Sequence, residues 1–544
     1  GLGDVYKRQT VKGEKWYDPR TSNGEDENGE VVKRIREYKK MVWSNTLSYL
    51  TTFNNIHHLD FLAGYEIDDT YNDYLSGEAY NFTTPDKHAI SNGMKTVSVG
   101  GSDSRYRLVS YLSRLNYDYK NKYYLGASFR VDGSSRLHRD NRWGTFWSVS
   151  GAWRTIEEEF MLPVKDWLTD LRIRASYGVN GTLPSDYFGY MGLSSISGGY
   201  LEQPGIQMSQ IANPNLKWET NYNMNIGLDF GFWDRLNFTI EYYTRTTKNL
   251  LMDCPVSMTT GFSSYLMNIG EVKNKGIELT INSTNIKTKD FSWNTTFNLG
   301  HNSNKVVKLD GEQTQIVSGT QIHKVGSSYR TFYVQEFAGI NPETGNPLFY
   351  TNELDENGNY IKEITENSKN AQFIPYKHAE PTVNGGISNS LRYKWLDLNF
   401  LFSYQFGGYS YDTWAQKTEH GGYDSYANIP TYYRDSWKKP GDQTNIEVYM
   451  PGKSSSVSMH KITSSRRIHS TDYFRLKNIT FGITLPKEWT NKINIGNVRI
   501  YASASNLWTW AAYDNYDPEA VSAGSATQTT PPLKTVTFGL NINF

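Results

Sequence analysis

From Lys534 onward the chain reads K-T-V-T-F-G-L-N-I-N-F. Val536, Phe538, Leu540, Ile542 and Phe544 fall on one face of an extended strand, and Thr535, Thr537, Gly539, Asn541 and Asn543 on the other. This period-two alternation predicts a strand with one apolar and one polar face. The pattern recurs near 42–53, 56–66, 105–118, 121–132, 143–154, 168–180, 216–230, 234–248, 275–283, 290–303, 382–392, 395–406, 471–485 and 495–505. In 121–132, Tyr123, Leu125, Ala127, Phe129 and Val131 stand against Tyr124, Gly126, Ser128 and Arg130; in 168–180, Leu171, Ile173 and Ala175 stand against Arg172, Arg174 and Ser176. In 395–406, Leu396, Leu398 and Phe400 stand against Asp397 and Asn399. About fifteen such strands carry more apolar face than one soluble core can cover, whereas a lipid-embedded barrel with a wet lumen uses both faces. The pattern therefore predicts an all-β fold, a large antiparallel transmembrane β-barrel. Arg130, Arg172, Arg174 and Asp397 are expected to face the lumen, because an Arg at the lipid midplane costs roughly 2–4 kcal/mol.

The connections alternate in length. Short ones lie at Asn54-Asn55, Lys120, Gly231-Phe232-Trp233, Asn285–Lys289 and Lys394, with moderate ones at 155–167 and 486–494; long ones lie near 67–104, 181–215, 249–274, 304–381, 407–470 and 506–534, and in this second set only 133–142 is short. Short turns on the periplasmic side and long extracellular loops are the barrel expectation. Aromatic residues crowd the short turns (Tyr117, Tyr119, Tyr123 and Tyr124; Phe230, Phe232 and Trp233; Tyr393 and Trp395), as an interfacial girdle would. Residues 1–41 are expected to be an N-terminal scar and an extracellular loop segment, with the barrel over 42–544. An odd strand count against the even number of bacterial barrels predicts at least one further strand upstream. With no leader-like pattern in Gly1 to Gln9, it also predicts that the chain is part of a longer protein.

Mean hydropathy is −0.62, and no run approaches the ~18 apolar residues of a membrane helix; a barrel is compatible with both, since only alternate strand residues meet lipid. Lys+Arg and Asp+Glu both number 56, so the formal charge is zero and no nucleic-acid footprint is expected. The single cysteine, Cys254, excludes an intrachain disulfide and reads as an unreactive thiol in a loop.

Several segments together resemble the SusC/RagA family of TonB-dependent outer-membrane transporters. They are Asn213-Pro214-Asn215-Leu216-Lys217-Trp218-Glu219-Thr220, Asn225 to Phe230, Arg235-Leu236, Tyr242-Tyr243 with Arg245 and Thr247, and Asn268 to Leu279. Toward the end come Phe474-Arg475-Leu476-Lys477-Asn478-Ile479-Thr480, Leu485-Pro486, Asn506-Leu507, Asp517-Pro518-Glu519 and Pro531-Pro532. The resemblance implies a barrel of roughly 22 strands, of which about fifteen are present here. It implies import of an oligosaccharide or peptide across the outer membrane of a Gram-negative bacterium. The implied partners are a SusD-like surface lipoprotein and the TonB complex, the latter through an N-terminal segment missing here; no plug domain or TonB box is seen. Phe544 resembles the terminal signal read by barrel-insertion machinery.

No catalytic motif or cofactor site is found, and the chain is expected not to be an enzyme: H-E-x-x-H, G-x-x-x-x-G-K-[ST] and G-x-S-x-G are all missing. No metal site is expected either. His57-His58 reads as interfacial, and Asp355-Glu356-Asn357-Gly358-Asn359 reads as a hairpin turn rather than a calcium loop. For substrate binding the aromatic-rich segment 407–470 is the candidate, above all Trp414, Tyr432, Tyr433 and Trp437, whose rings can stack on sugars or pack on peptide side chains. The other function compatible with these strands is a non-transport surface β-rich binding protein or adhesin.

Overall fold

The structure is a computed structural model that describes residues 2–200, 203–309, 314–422, 428–451, 462–490, 492, 495–526 and 529–543. Among the described residues, sixteen strands run as an antiparallel meander in which each pairs with its neighbour in chain order. They are β1 (Leu2–Tyr17), β2 (Glu30–Phe53), β3 (His57–Phe82), β4 (Gly93–Tyr119), β5 (Tyr123–Ser134), β6 (Trp143–Trp153), β7 (Leu168–Thr182) and β8 (Glu219–Phe232). Then follow β9 (Leu236–Pro255), β10 (Ser264–Lys287), β11 (Phe291–Leu309), β12 (Val383–Tyr393), β13 (Leu396–Phe406), β14 (Tyr473–Thr484), β15 (Asn497–Ala511) and β16 (Thr535–Asn543). Cys254 lies near the end of β9, buried, rather than in a loop.

The tight turns are where the sequence places them. Asn54 and Asn55, Lys120 and Asn121, and Trp233 and Asp234 form consecutive left-handed pairs with φ between 51° and 59°, the backbone that joins twisted antiparallel strands with fewest residues. Rings gather there: Phe230 stacks on Phe238 at 4.8 Å and Trp167 on Phe232 at 5.9 Å. His57 faces the Tyr117 hydroxyl at 2.8 Å and His58 faces Thr52 at 3.0 Å, so the two rings do not converge.

The chain divides into two compact units, Gly1–Trp153 with Ala175–Asn223 and Thr247–Ile269, and Arg154–Arg174 with Met224–Thr246 and Gly270–Phe544. In the first, the expected loop over 1–41 is mostly strand: β1 pairs with β2 from Leu2↔Asn45 to Tyr17↔Glu30. The expected loop over 67–104 is a hairpin of β3 and β4, 26 and 27 residues long, where ~9–11 residues suffice to cross a bilayer. Neither stretch alternates cleanly, because charge pairs hold it together: Arg8 with Glu37, Lys33 with Glu14 at 3.1 Å and Lys40 with Asp68 at 2.7 Å. Two segments that mark the family resemblance meet in this unit. Lys217 N–H donates to Asn268 Oδ1 and Asn268 Nδ2 donates to Lys217 O, both at 2.9 Å, while Asn213 Nδ2 donates to Leu266 O at 2.7 Å. Leu216 and Trp218 then pack into a small core with Leu137 and Phe146.

In the second unit the long connections fold on themselves. Residues 315–378 supply a four-stranded and a three-stranded sheet. Phe332 and Val334 from this stretch share a core with Tyr411 and Ile468, which joins described parts of 304–381 and 407–470. The Asp355 turn is the expected hairpin: Asp355 Oδ1 accepts from the amides of Asn357 and Asn359 at 2.9 and 2.8 Å, and Gly358 has φ +80°.

Candidate functional site

Each charged residue expected in the lumen is paired on the polar face of its strand. Arg130 Nε lies 2.7 Å from Asp132 Oδ1, and its Nη2 donates to Ser110 Oγ at 2.8 Å. Arg172 and Arg174 both donate to Asp229 Oδ2, at 3.0 and 2.9 Å, and Arg174 also pairs with Glu241. Asp397 accepts from Arg499 Nη2 at 2.6 Å, across Gly482, where an added Cβ would lie 2.5 Å from both partners. Ile173, between the two arginines, is 42% exposed, and Val536, Phe538 and Leu540 are 58, 81 and 58% exposed. On β7 and β16 apolar side chains are thus left open by the protein, while the ion pairs of β5, β7 and β13 lie on the polar faces.

The four candidate aromatics do not form one site. Tyr433 is buried and donates to Glu447 Oε1 at 2.9 Å. Tyr432 stacks beside it at 5.8 Å and donates to Glu419. Arg466 pairs with Glu447 at 3.1 Å and with Glu419 at 3.7 Å. Burial, then the adjacent carboxylates, push both tyrosine hydroxyls well above their ordinary value. Burial opposes the charge on Arg466, but Glu447 and Glu419 outweigh it and raise its pKa. These two tyrosines therefore hold the loop together. Trp437 donates its indole N–H to Pro342 O at 2.7 Å and packs on Gly345, where an added Cβ would sit 2.6 Å from the ring.

Two cavities lie against this loop structure. One, of ≈ 700 Å³, is lined by Tyr433, Arg434, Trp437, Lys438, Val448 and Tyr449 among others. The other, of ≈ 570 Å³, holds Trp414, which is 41% exposed, together with Arg475, Trp510, Asp514 and Asp517. Trp414 and Trp437 thus serve different cavities. Tyr423 and Tyr426, also in this aromatic segment, and Phe544 lie outside the described residues.

Sequence reasoning missed the clamp below the second cavity. Asp517-Pro518-Glu519 reads as a loop turn, yet its carboxylates hold Arg475: Asp517 Oδ2 lies 2.6 Å from Nη2, and Glu519 pairs with Nη1. Lys477 reaches Glu519 at 2.7 Å. The strand pairing skips here, from Leu476↔Trp508 to Asn478↔Ser505, and Asn506 has φ +54°. Lys477 and Asn506-Leu507 are therefore a bulge. The signal was available: two family-marking segments of opposite charge had no other assigned role. Among the described residues no group of His, Cys, Asp and Glu could hold a metal ion.

Residues 2–351 match the TonB dependent receptor-like, beta-barrel family. TonB-dependent receptor P3 of Formosa agariphila is 32% identical over 547 residues, covering 95% of this chain and 53% of the relative. TonB-dependent receptor SusC of Bacteroides thetaiotaomicron is 29% identical over 541 residues, covering 95% and 51%. The solved RagAB peptide transporter matches 100% of this chain and 60% of its own, at 26% identity and a TM-score of 0.87. The chain spans about half the length of the curated relatives it matches.

Proposed function

This chain belongs to the TonB dependent receptor-like β-barrel family, and we propose that it forms barrel wall and extracellular loops of an importer for oligosaccharides or peptides. Such barrels reside in the outer membrane of Gram-negative bacteria. The observation that carries the reading is the likeness of the whole chain to the RagAB peptide transporter. Arg130, Arg172, Arg174 and Asp397 line the lumen in this reading, which supports passage of polar cargo, and the open apolar faces meet lipid. The folded loops of 304–381 and 407–470 receive substrate under a SusD-like lipoprotein, and TonB supplies the energy for import. Recognition loops on a rigid scaffold suit that task.

The test uses the full-length protein in its native host. Deleting its gene should abolish uptake of one fluorescent oligosaccharide or peptide series, and deleting TonB should do the same. Affinity purification should recover a surface lipoprotein with it. Unchanged uptake of every series after deletion would refute the reading.

A further inference from the structure

The ≈ 700 Å³ cavity is lined by cations that the fold does not pair. Among the described residues its lining includes two cations, Arg434 and Lys438, and no Asp or Glu. Nearby structural cations are supplied with carboxylates by the fold itself: Arg466 by Glu447 and Glu419, Arg475 by Asp517 and Glu519. Arg434 and Lys438 are exposed, and neither has an ion-pair partner among the described residues. Asp435, Asp442 and Glu447 lie in the same loop, but Asp442 is engaged by backbone amides and Glu447 by Tyr433 and Arg466, which leaves the two side-chain cations open.

The walls are fixed in advance. Tyr433 is tied to Glu447 at 2.9 Å and Trp437 to Pro342 O at 2.7 Å. Val448 N–H donates to Gly345 O at 2.9 Å, and the amides of Lys438 and Lys439 both donate to Asp442 Oδ2 at 3.0 Å. Tyr449, 43% exposed, adds an open ring. Preset aromatic walls beside cationic side chains without ion pairs suit a ligand with both flat apolar and anionic groups.

We propose that this cavity binds a carboxylate-bearing stretch of the imported oligomer, with Arg434 and Lys438 as its cationic contacts. The proposal rests on the transport reading. Carboxylates of this kind occur in acidic peptides and in uronic-acid sugars, and the experiment separates the two.

Full-length protein purified in detergent is titrated calorimetrically with oligoglutamate, oligogalacturonate, oligoserine and maltohexaose. One acidic probe should bind about tenfold or more tighter than its neutral counterpart, and more weakly as salt rises. An Arg434→Gln/Lys438→Gln variant should lose about tenfold for that probe and nothing for neutral ones. Arg434→Glu/Lys438→Glu should favour oligolysine instead. Equal binding of acidic and neutral probes, no binding of either acidic probe, or an unchanged affinity in both variants would overturn the proposal. Uptake of a neutral nutrient by the variants would then still uphold the transport reading, whereas loss of the proposal together with gene-deletion cells that import normally would defeat both.

Discussion

Replacing Arg475 by Met isolates the clamp that joins two separated family segments. The Arg475 side chain is 2% exposed and that of Asp517 11% exposed. The substitution removes the 2.6 Å pair with Asp517, the pair with Glu519 and a 2.9 Å hydrogen bond to Thr509. Glu519 keeps Lys477 at 2.7 Å and Tyr473 at 3.2 Å. The loss therefore falls on Asp517, which among the described residues retains the Glu519 amide at 2.9 Å. Orphaning one member of a buried pair costs about 3–5 kcal/mol; the surviving amide bond and slight exposure reduce this to about 2–3 kcal/mol. That is on the order of a hundredfold in a local opening equilibrium. Hydrogen exchange reads it at the Ala520 amide, which donates to Asp517 O at 2.9 Å. Arg475→Met should speed exchange there about a hundredfold, and adding Asp517→Asn should restore most of the protection, because a neutral amide is cheaper to leave unpaired. Exchange within threefold of the parent (about 0.7 kcal/mol) would refute the clamp as a source of local stability.

Gly539→Val should destabilise the barrel by about 1–3 kcal/mol, since an added Cβ would lie 2.2 Å from the Tyr501 ring. Urea unfolding should show a lower midpoint, recovered by Tyr501→Ala. If Phe544 is read by the insertion machinery, Phe544→Ser in the full-length protein should reduce membrane insertion far more than Phe538→Ser; equal insertion would show Phe544 to be one more girdle aromatic. Trp414→Ala and Trp437→Ala together should slow growth on the native nutrient in the complete transporter. Unchanged growth and unchanged recovery of the lid lipoprotein would place the substrate site elsewhere. His469 is half-buried against Tyr513, at 3.6 Å between rings, and its burial lowers its pKa below 6.5. The unfolded loop therefore binds more protons there, so its stability should be full above pH 6.5 and fall as pH drops through the folded value. A His469→Gln variant should lose this acid sensitivity in limited proteolysis.

The fold was legible wherever apolar and polar residues alternate along a strand. The stretches 121–132 and 395–406 match β5 and β13 closely for that reason. It was not legible in β1 or the outer halves of β3 and β4. Strands that meet water on both faces need no alternation and are held by pairs such as Arg105 with Asp69. At the candidate site, composition announced the rings but not their burial. Tyr433 is fixed by Glu447, fourteen residues away, and Trp437 by a carbonyl 95 residues away. Long-range closure of this kind leaves no local spacing to read. The pairing of Arg475 with Asp517, across 42 residues, was hidden in the same way.

The central claim is that successive residues of the period-two strands meet lipid and lumen in turn. Single cysteines, introduced after Cys254→Ser, can be spin-labelled at Arg172, Ile173, Arg174, Asp397, Leu398, Phe538, Leu540 and Asn541 in the bilayer-reconstituted full-length protein. The account predicts oxygen-accessible labels at Ile173, Leu398, Phe538 and Leu540, and water-soluble relaxant reaching Arg172, Arg174, Asp397 and Asn541. The reverse parity, with Arg172 and Arg174 in lipid and Ile173 in water, would contradict it, since a shift of one residue exchanges every face at once.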